Sequence, residues 1–386
     1  MKIPKIPKIL QKTQTRCILF LLLIITCIHI IAWNSKSFTD WYRLHIFPIW
    51  TNLLGRPSGL FHWSVGENLI ILGICLIIFE IVLLVFFLMK HRLPRRFSWN
   101  PYLICWVLVY IYGTETLNCY VLYHASTVEE QYFDTGADYG TQDLINAYTE
   151  VATKANELSG QVKRSSDGTA VYDGTYEELY TACAEAMRAQ GEVYPYLAGF
   201  YPDPKPIRAS HFMSQQYLLG IYFPFTMEAN YNTVMYPVNV PATVCHEYSH
   251  LKGIILEDEA NYFGFVSCIE ADDPYLQYSG YLSVLSYLAG QVRKSVTEDM
   301  RQTLVNANEQ VQKDDVFLTE EQWEQVRKKA VLSTEAVNKA TNVFLETNLT
   351  MNGVEDGIQS YSRVVRLVIR YYAEKNTKIH DKTDKT

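Results

Sequence analysis

Between Leu69 and Met89 the chain runs through leucine, isoleucine, valine and phenylalanine with a single charge, Glu80, at its middle. About 20 such residues in a helix match the ~30 Å hydrocarbon core of a bilayer, so this stretch predicts a membrane span. A carboxylate at mid-span is costly. Glu80 is expected to face another helix or to stay protonated, with a proton-handling role as the sharper alternative. Cys17 to Trp33 is also almost purely apolar, and it follows Lys2, Lys5, Lys8, Lys12 and Arg16 with no acid among them. That pattern also describes a cleaved signal peptide, but no small-x-small site follows in Asn34-Ser35-Lys36-Ser37, so a retained helix is expected. Tyr102 to Leu122 predicts a weaker third span, interrupted by Gly113-Thr114-Glu115 and Asn118.

These stretches define a membrane region, 1–124, holding a bundle of three transmembrane helices at about 17–33, 69–89 and 102–122. The N-terminus and Lys90-His91-Arg92-Leu93-Pro94-Arg95-Arg96 are basic, whereas the 34–67 connection is sparsely charged. By the positive-inside rule both basic segments are cytoplasmic, and three spans place everything after about His124 outside the cytoplasm. The expected location is a multi-pass cell-membrane protein with an extracytoplasmic domain at 125–373.

That second part is polar and tyrosine-rich. The chain carries 28 tyrosines and a net charge of −7, which gives no footing for nucleic acid as a partner. Only Cys183, Cys245 and Cys268 of the eight cysteines lie there, without paired spacing, so neither a disulfide framework nor a cysteine-ligated zinc site is expected. Asp143 to Leu158 reads as an amphipathic helix, and Thr175-x-x-Glu178 opens another with Leu179, Cys183 and Met187 inward. Residues 217–227 read as extended, with a proline that suits an edge strand. Glu228, Asn230 and Asn232 alternate after it, either lining a cleft or ending a solvated strand. Thr319-x-x-Gln322 caps a helix expected to run towards Glu346, Asn352-Gly353 is a turn, and Ile358 to Tyr372 is a final helix. The tail, 374–386, is expected to be disordered.

The chemistry concentrates in Val244 to Asn261. His246-Glu247-Tyr248-Ser249-His250 on a helix puts two imidazoles one turn apart on one face, within reach of one metal ion, with Glu247 about 100° away. Gly253 is a helix stop, and the turn it allows lets a second helix, from near Leu256, fold back with an acid in its first turn. That acid is Glu257 or Glu259. From Glu257 a stripe of Ala260, Asn261, Gly264 and Cys268 follows at helical spacing and permits a close helix crossing, with Asn261 placed to hold a histidine ring by its free nitrogen. From Glu259 the face is Tyr262, Phe263 and Val266, which looks like core. Glu257 is favoured.

His-Glu-x-x-His, Gly253 and Glu-x-Glu-Ala-Asn together resemble an uncharacterised family of bacterial, membrane-anchored zinc metallopeptidases, the domain of unknown function 3810. The likeness extends through Pro204-Lys205-Pro206, Gly220-Ile221-Tyr222-Phe223-Pro224-Phe225, Tyr278-Ser279-Gly280-Tyr281 and Ser360-Tyr361-Ser362-Arg363-Val364-Val365. Its Glu-x-x-Ala-Asn portion resembles the third-ligand segment of Glu-zincins. The resemblance implies a mainly helical domain with a short β-sheet, of zincin type, and a zinc ion, but no established substrate.

The expected mechanism is hydrolysis of a peptide or protein substrate. His246, His250 and Glu257 hold Zn2+, Glu247 acts as general base, and Tyr278 or Tyr281 is a candidate donor to the oxyanion. Arg363 is a candidate contact for a substrate carboxylate or carbonyl, against a structural ion pair. The competing reading is a non-enzymatic membrane receptor or scaffold with a structural site, which needs a fourth protein ligand and leaves Glu247 without a task. Substrate identity and oligomeric state have no signal in the sequence.

Overall fold

The computed structural model describes residues 12–90, 97, 99–133, 139–352 and 361–383. The basic segments at 2–8 and 91–96, Gly353 of the expected turn, the first residues of the expected last helix at 358–360, and 384–386 lie outside them. Helix α1 (Thr13–Asn34) is followed by α2 (Lys36–His45), α3 (Phe47–Ser58) and α4 (Val65–Lys90). Helices α1 and α4 are long and apolar enough to cross a membrane, with mean hydropathies of 2.4 and 3.3.

The third expected span does not form one α-helix of that length. Helix α5 (Asn100–Glu115) gives way to a π turn, Thr116–Tyr120, and then to α6 (Val121–Tyr123). The polar interruption is the cause. Thr116 donates its hydroxyl back to the Tyr112 carbonyl at 2.7 Å, and Asn118 is carried round to donate to the Pro224 carbonyl at 2.8 Å. Glu80 accepts from Asn100 Nδ2 at 2.8 Å, so it does face a neighbouring helix.

The remaining helices are α7 (Val128–Tyr132), α8 (Thr141–Ser159) and α9 (Tyr176–Ala189), the last opened by the Thr175–Glu178 capping box. Strand β1 (Lys205–Ile207), α10 (Ser210–Gln215), β2 (Gly220–Phe223) and β3 (Glu228–Asn232) follow. Then come α11 (Val240–His250), α12 (Glu257–Ile269), α13 (Pro274–Ser295), the short α14 (Glu298–Arg301) and α15 (Glu309–Asp314), α16 (Glu320–Lys329), α17 (Thr334–Met351) and α18 (Tyr361–Thr383). The chain is therefore mainly helical with one three-stranded sheet in the order β1-β3-β2, β1 parallel and β2 antiparallel to β3.

Four sequence expectations change here. The extended stretch 217–227 is a strand plus the turn of a hairpin, and β2 is an edge as expected. Glu228, Asn230 and Asn232 line no cleft: β3 is buried throughout, and Asn230 and Asn232 bond within the hairpin and to α10. The helix from Thr319 stops at Lys329, and Ser333 caps a new one. Helix α18 continues past Glu374 to Thr383, its early tail tied down by Lys375 against Glu270 at 3.1 Å.

The core does not begin at residue 125. Thr39, Arg43, Phe47, Thr51 and Gly55, spaced by four, make one buried row on α2 and α3. Phe47, Val121 and Leu122 belong to the same apolar core as α8, α11, α12 and α13. Each fully buried side chain of this size contributes about 1.5–3 kcal/mol, so the connection between the first two apolar helices is part of the domain. The start of α4 is fastened too. Glu228 accepts from the Val65 and Gly66 backbone N–H groups at 3.0 and 2.7 Å and pairs with buried Lys205. A carboxylate there suits the positive end of the helix dipole and satisfies donors that begin a helix.

Candidate metal centre

Helix α11 starts with Pro241 in its first turn, where a missing N–H costs little, and carries His246, Glu247 and His250. Its closing turn sets one ligand. Gly253 has φ +83°, its N–H bonds to the His250 carbonyl at 3.0 Å, and the Ile254 N–H bonds to the Ser249 carbonyl at 3.1 Å. This pair of bonds is the Schellman arrangement, which needs a left-handed residue. It leaves the Ile254 carbonyl facing back, where it accepts from His250 Nδ1 at 2.7 Å. With the proton held on Nδ1, Nε2 is free to ligate.

Asn261 does the same for the other ring: its Oδ1 accepts from His246 Nδ1 at 3.0 Å. Both free Nε2 atoms then converge on Glu257, the first residue of α12, at 3.2 Å from His246 and 3.7 Å from His250. The ligand atoms of these three residues lie within 4.8 Å of one another, the one such cluster among the described residues. The small-residue stripe makes the approach possible. A side chain at Gly264 would sit 2.8 Å from the Ala242 carbonyl, and the Cys268 and Cys245 sulfurs touch at 3.8 Å.

Glu247 is buried behind the cluster, its Oε1 4.0 Å from His246 Nε2 and its Oε2 without a partner. Burial pushes its pKa up to about 8, with the His246 charge pulling the other way. Burial disfavours the His246 cation, but Glu257 and then Glu247 outweigh it and raise that pKa to about 9. Burial lowers His250 to about 4, and Glu257, half-exposed at the mouth of the cluster, is held at about 2 because the two histidines outweigh the desolvation that opposes its charge. Two imidazoles and a carboxylate whose outer nitrogens are already satisfied, beside a buried acid with an orphan oxygen, fit a hydrolytic zinc site.

Other sequence candidates fall elsewhere. Glu259 turns away from the histidines and accepts from the Val128 N–H at 2.6 Å, capping α7. Tyr278 donates to Asp314 Oδ2 at 2.8 Å, in a buried network with Arg164 and Tyr236. Tyr281 packs on Phe265 and beside Tyr372. Between them, the small face of α13 at Gly280 is what meets α12. Arg363 lies against Asp258 at 3.4 Å, the structural ion pair, one residue from Glu257.

Two neighbours of the site were not among the candidates. Gly220 of β2 lies so close to Glu247 that a side chain there would meet Oε1 at 2.3 Å and Cγ at 2.7 Å. A glycine inside an aromatic strand is the sequence sign of such an approach. Tyr222 lies tilted against His250, ring centres 5.8 Å apart.

A family model described as protein of unknown function (DUF3810) matches residues 42–369. No curated protein and no solved structure matches the chain.

Proposed function

Starting from the fact that this chain belongs to the DUF3810 family, we propose that it is a membrane-anchored zinc-dependent peptidase. The observation that carries this reading is the convergence of the His246 and His250 Nε2 atoms on Glu257, each ring already held through its Nδ1. Zinc held by these three residues would lower the pKa of a water and polarise the scissile carbonyl. Glu247 would receive the water's proton at its unpaired Oε2 and return it to the leaving amine. The edge strand β2 runs past Glu247 at Gly220 and suits an extended peptide added as a further strand. A purely structural zinc site is less well supported, because no fourth ligand joins the three among the described residues.

The reading includes a topology in which α1, α4 and the continuous helical run from Asn100 to Tyr123 cross the bilayer. The end of α1, the start of α4 and the end of α6 all meet the domain, through Ala32 in its core, Glu228 to α4, and Leu122 to Gly253. The basic segments then lie at the opposite, cytoplasmic end, and the metal centre works outside the cytoplasm at the membrane surface.

The test uses the full chain purified in detergent. Metal analysis should find about one zinc per chain, lost to chelator, and a peptide-pool digest should show chelator-sensitive cleavage. Glu247→Gln should keep the zinc and abolish cleavage. A chain that binds no zinc, or a Glu247→Gln variant that cleaves as well as the parent, refutes the proposal.

A further inference from the structure

We infer that α2 and α3 form an in-plane membrane-contact surface, lying on the lipid–water interface of the outer leaflet with their outward faces in the headgroup region. The inference rests on the proposed topology, in which α1 and α4 span. The two helices have opposite faces of different kinds. The inward row is polar or small where it meets the domain: Thr51 donates to the Leu251 carbonyl and Ser58 to the Thr226 carbonyl, both at 2.9 Å, and Gly55 lies against the Met227 carbonyl.

The outward face is apolar and uncovered: Trp41 and Leu44 on α2 and Ile49 and Leu53 on α3 are exposed, as are Leu60, by 79%, and Trp63 in the connection that follows α3. Water is a poor neighbour for so many large apolar groups in one stretch. Neither helix can itself cross the membrane, since the 12 residues of α3 reach only about 18 Å.

Continuity selects lipid as the occupant. This segment begins two residues after α1 ends, and six residues join its end to α4, so both of its ends are held at one membrane surface. Four of the seven tryptophans lie between Trp33 and Trp63, the residue type that favours the headgroup level. Residues 41–66 contain no Asp or Glu, while Arg56, His45 and His62 are exposed, a charge balance suited to anionic lipid. Because Thr51 bonds to Leu251 beside the Schellman turn, the surface would hold the metal helix at a fixed height above the bilayer.

The experiment uses the full chain in lipid vesicles of mixed zwitterionic and anionic phospholipid. Cys17, Cys27, Cys75, Cys105 and Cys119 are replaced, and buried Cys183, Cys245 and Cys268 are retained. Single cysteines at Ile49, Leu53, Ile77 and Glu309 carry a polarity-sensitive fluorophore. Quenching is compared between lipids bearing a nitroxide near the headgroup, lipids bearing it deep in the acyl chain, and aqueous iodide. The labels at Ile49 and Leu53 should be quenched severalfold more by the shallow nitroxide than by iodide, Ile77 by the deep nitroxide, and Glu309 by iodide alone. If Ile77 responds to lipid but Ile49 and Leu53 respond to iodide, the in-plane surface is wrong while the spans stand. Shielding of both labels from every quencher means a protein partner covers the face, and also overturns it. Iodide quenching at Ile77 removes the spans themselves.

Discussion

Replacing Asn261 by alanine tests the metal centre without needing a substrate. His246 has one nitrogen 3.2 Å from Glu257 and the other 3.0 Å from the Asn261 carbonyl oxygen. Alanine removes that acceptor, so the ring is free to turn and to place its proton on Nε2, the atom a metal needs bare. Loss of such a supporting bond weakens metal binding by roughly 10- to 100-fold, or about 1.4–2.7 kcal/mol. The loss stays within that range because His250 keeps its own support, a backbone carbonyl that no side-chain change removes. Stability of the metal-free chain should hardly move, since Asn261 is only partly buried and alanine favours a helix. Zinc affinity is read by competition with a fluorescent chelator, and Asn261→Asp, which retains an acceptor, should restore it. Parental affinity in Asn261→Ala, or equal weakness in Asn261→Asp, would show that the ring is not held this way.

Two further outcomes follow from the same geometry. Gly220→Ala places a methyl 2.3 Å from Glu247 Oε1, about 1 Å inside contact distance, and should lower peptide cleavage by roughly 100-fold while zinc content is unchanged. In the metal-free chain His246 stays protonated up to about pH 9, whereas His250 is neutral above about pH 4. Zinc binds the unprotonated ring, so uptake at pH 7 should release about one proton, measurable by calorimetry in buffers of different ionisation enthalpy. Affinity should rise about tenfold per pH unit until His246 is already neutral.

What could be read before folding was whatever depends on neighbours in the chain. The spacing of His246, His250, Gly253 and Glu257 sufficed because helix pitch and one left-handed turn dictate the convergence. The capping boxes at Thr175 and Thr319 are equally local. Residues 36–58 read as a plain connection because Pro48 and Pro57 and a low charge mask helices whose inward row is explained by partners such as Leu251 and Thr226. Tyr278 resembled a site residue only because its true partner, Asp314, is 36 positions away. The small-residue stripe favoured Glu257 over Glu259, but the partner that takes the second acid, the Val128 N–H 131 residues away, had no local sign.

The bond from Thr51 to Leu251 spans 200 residues, and it has a consequence for how the chain is made. At a synthesis rate of about 5–20 residues per second, α3 emerges roughly 10–40 s before its partner exists. Over that interval Thr51 and Gly55 have no partner, although Thr39 and Phe47 already meet residues 121–124, and the early helices wait half-assembled. Maturation must therefore close from the last-made half back onto the first, and a version expressed from residue 125 onward would lack the floor on which the turn after its two histidines is built.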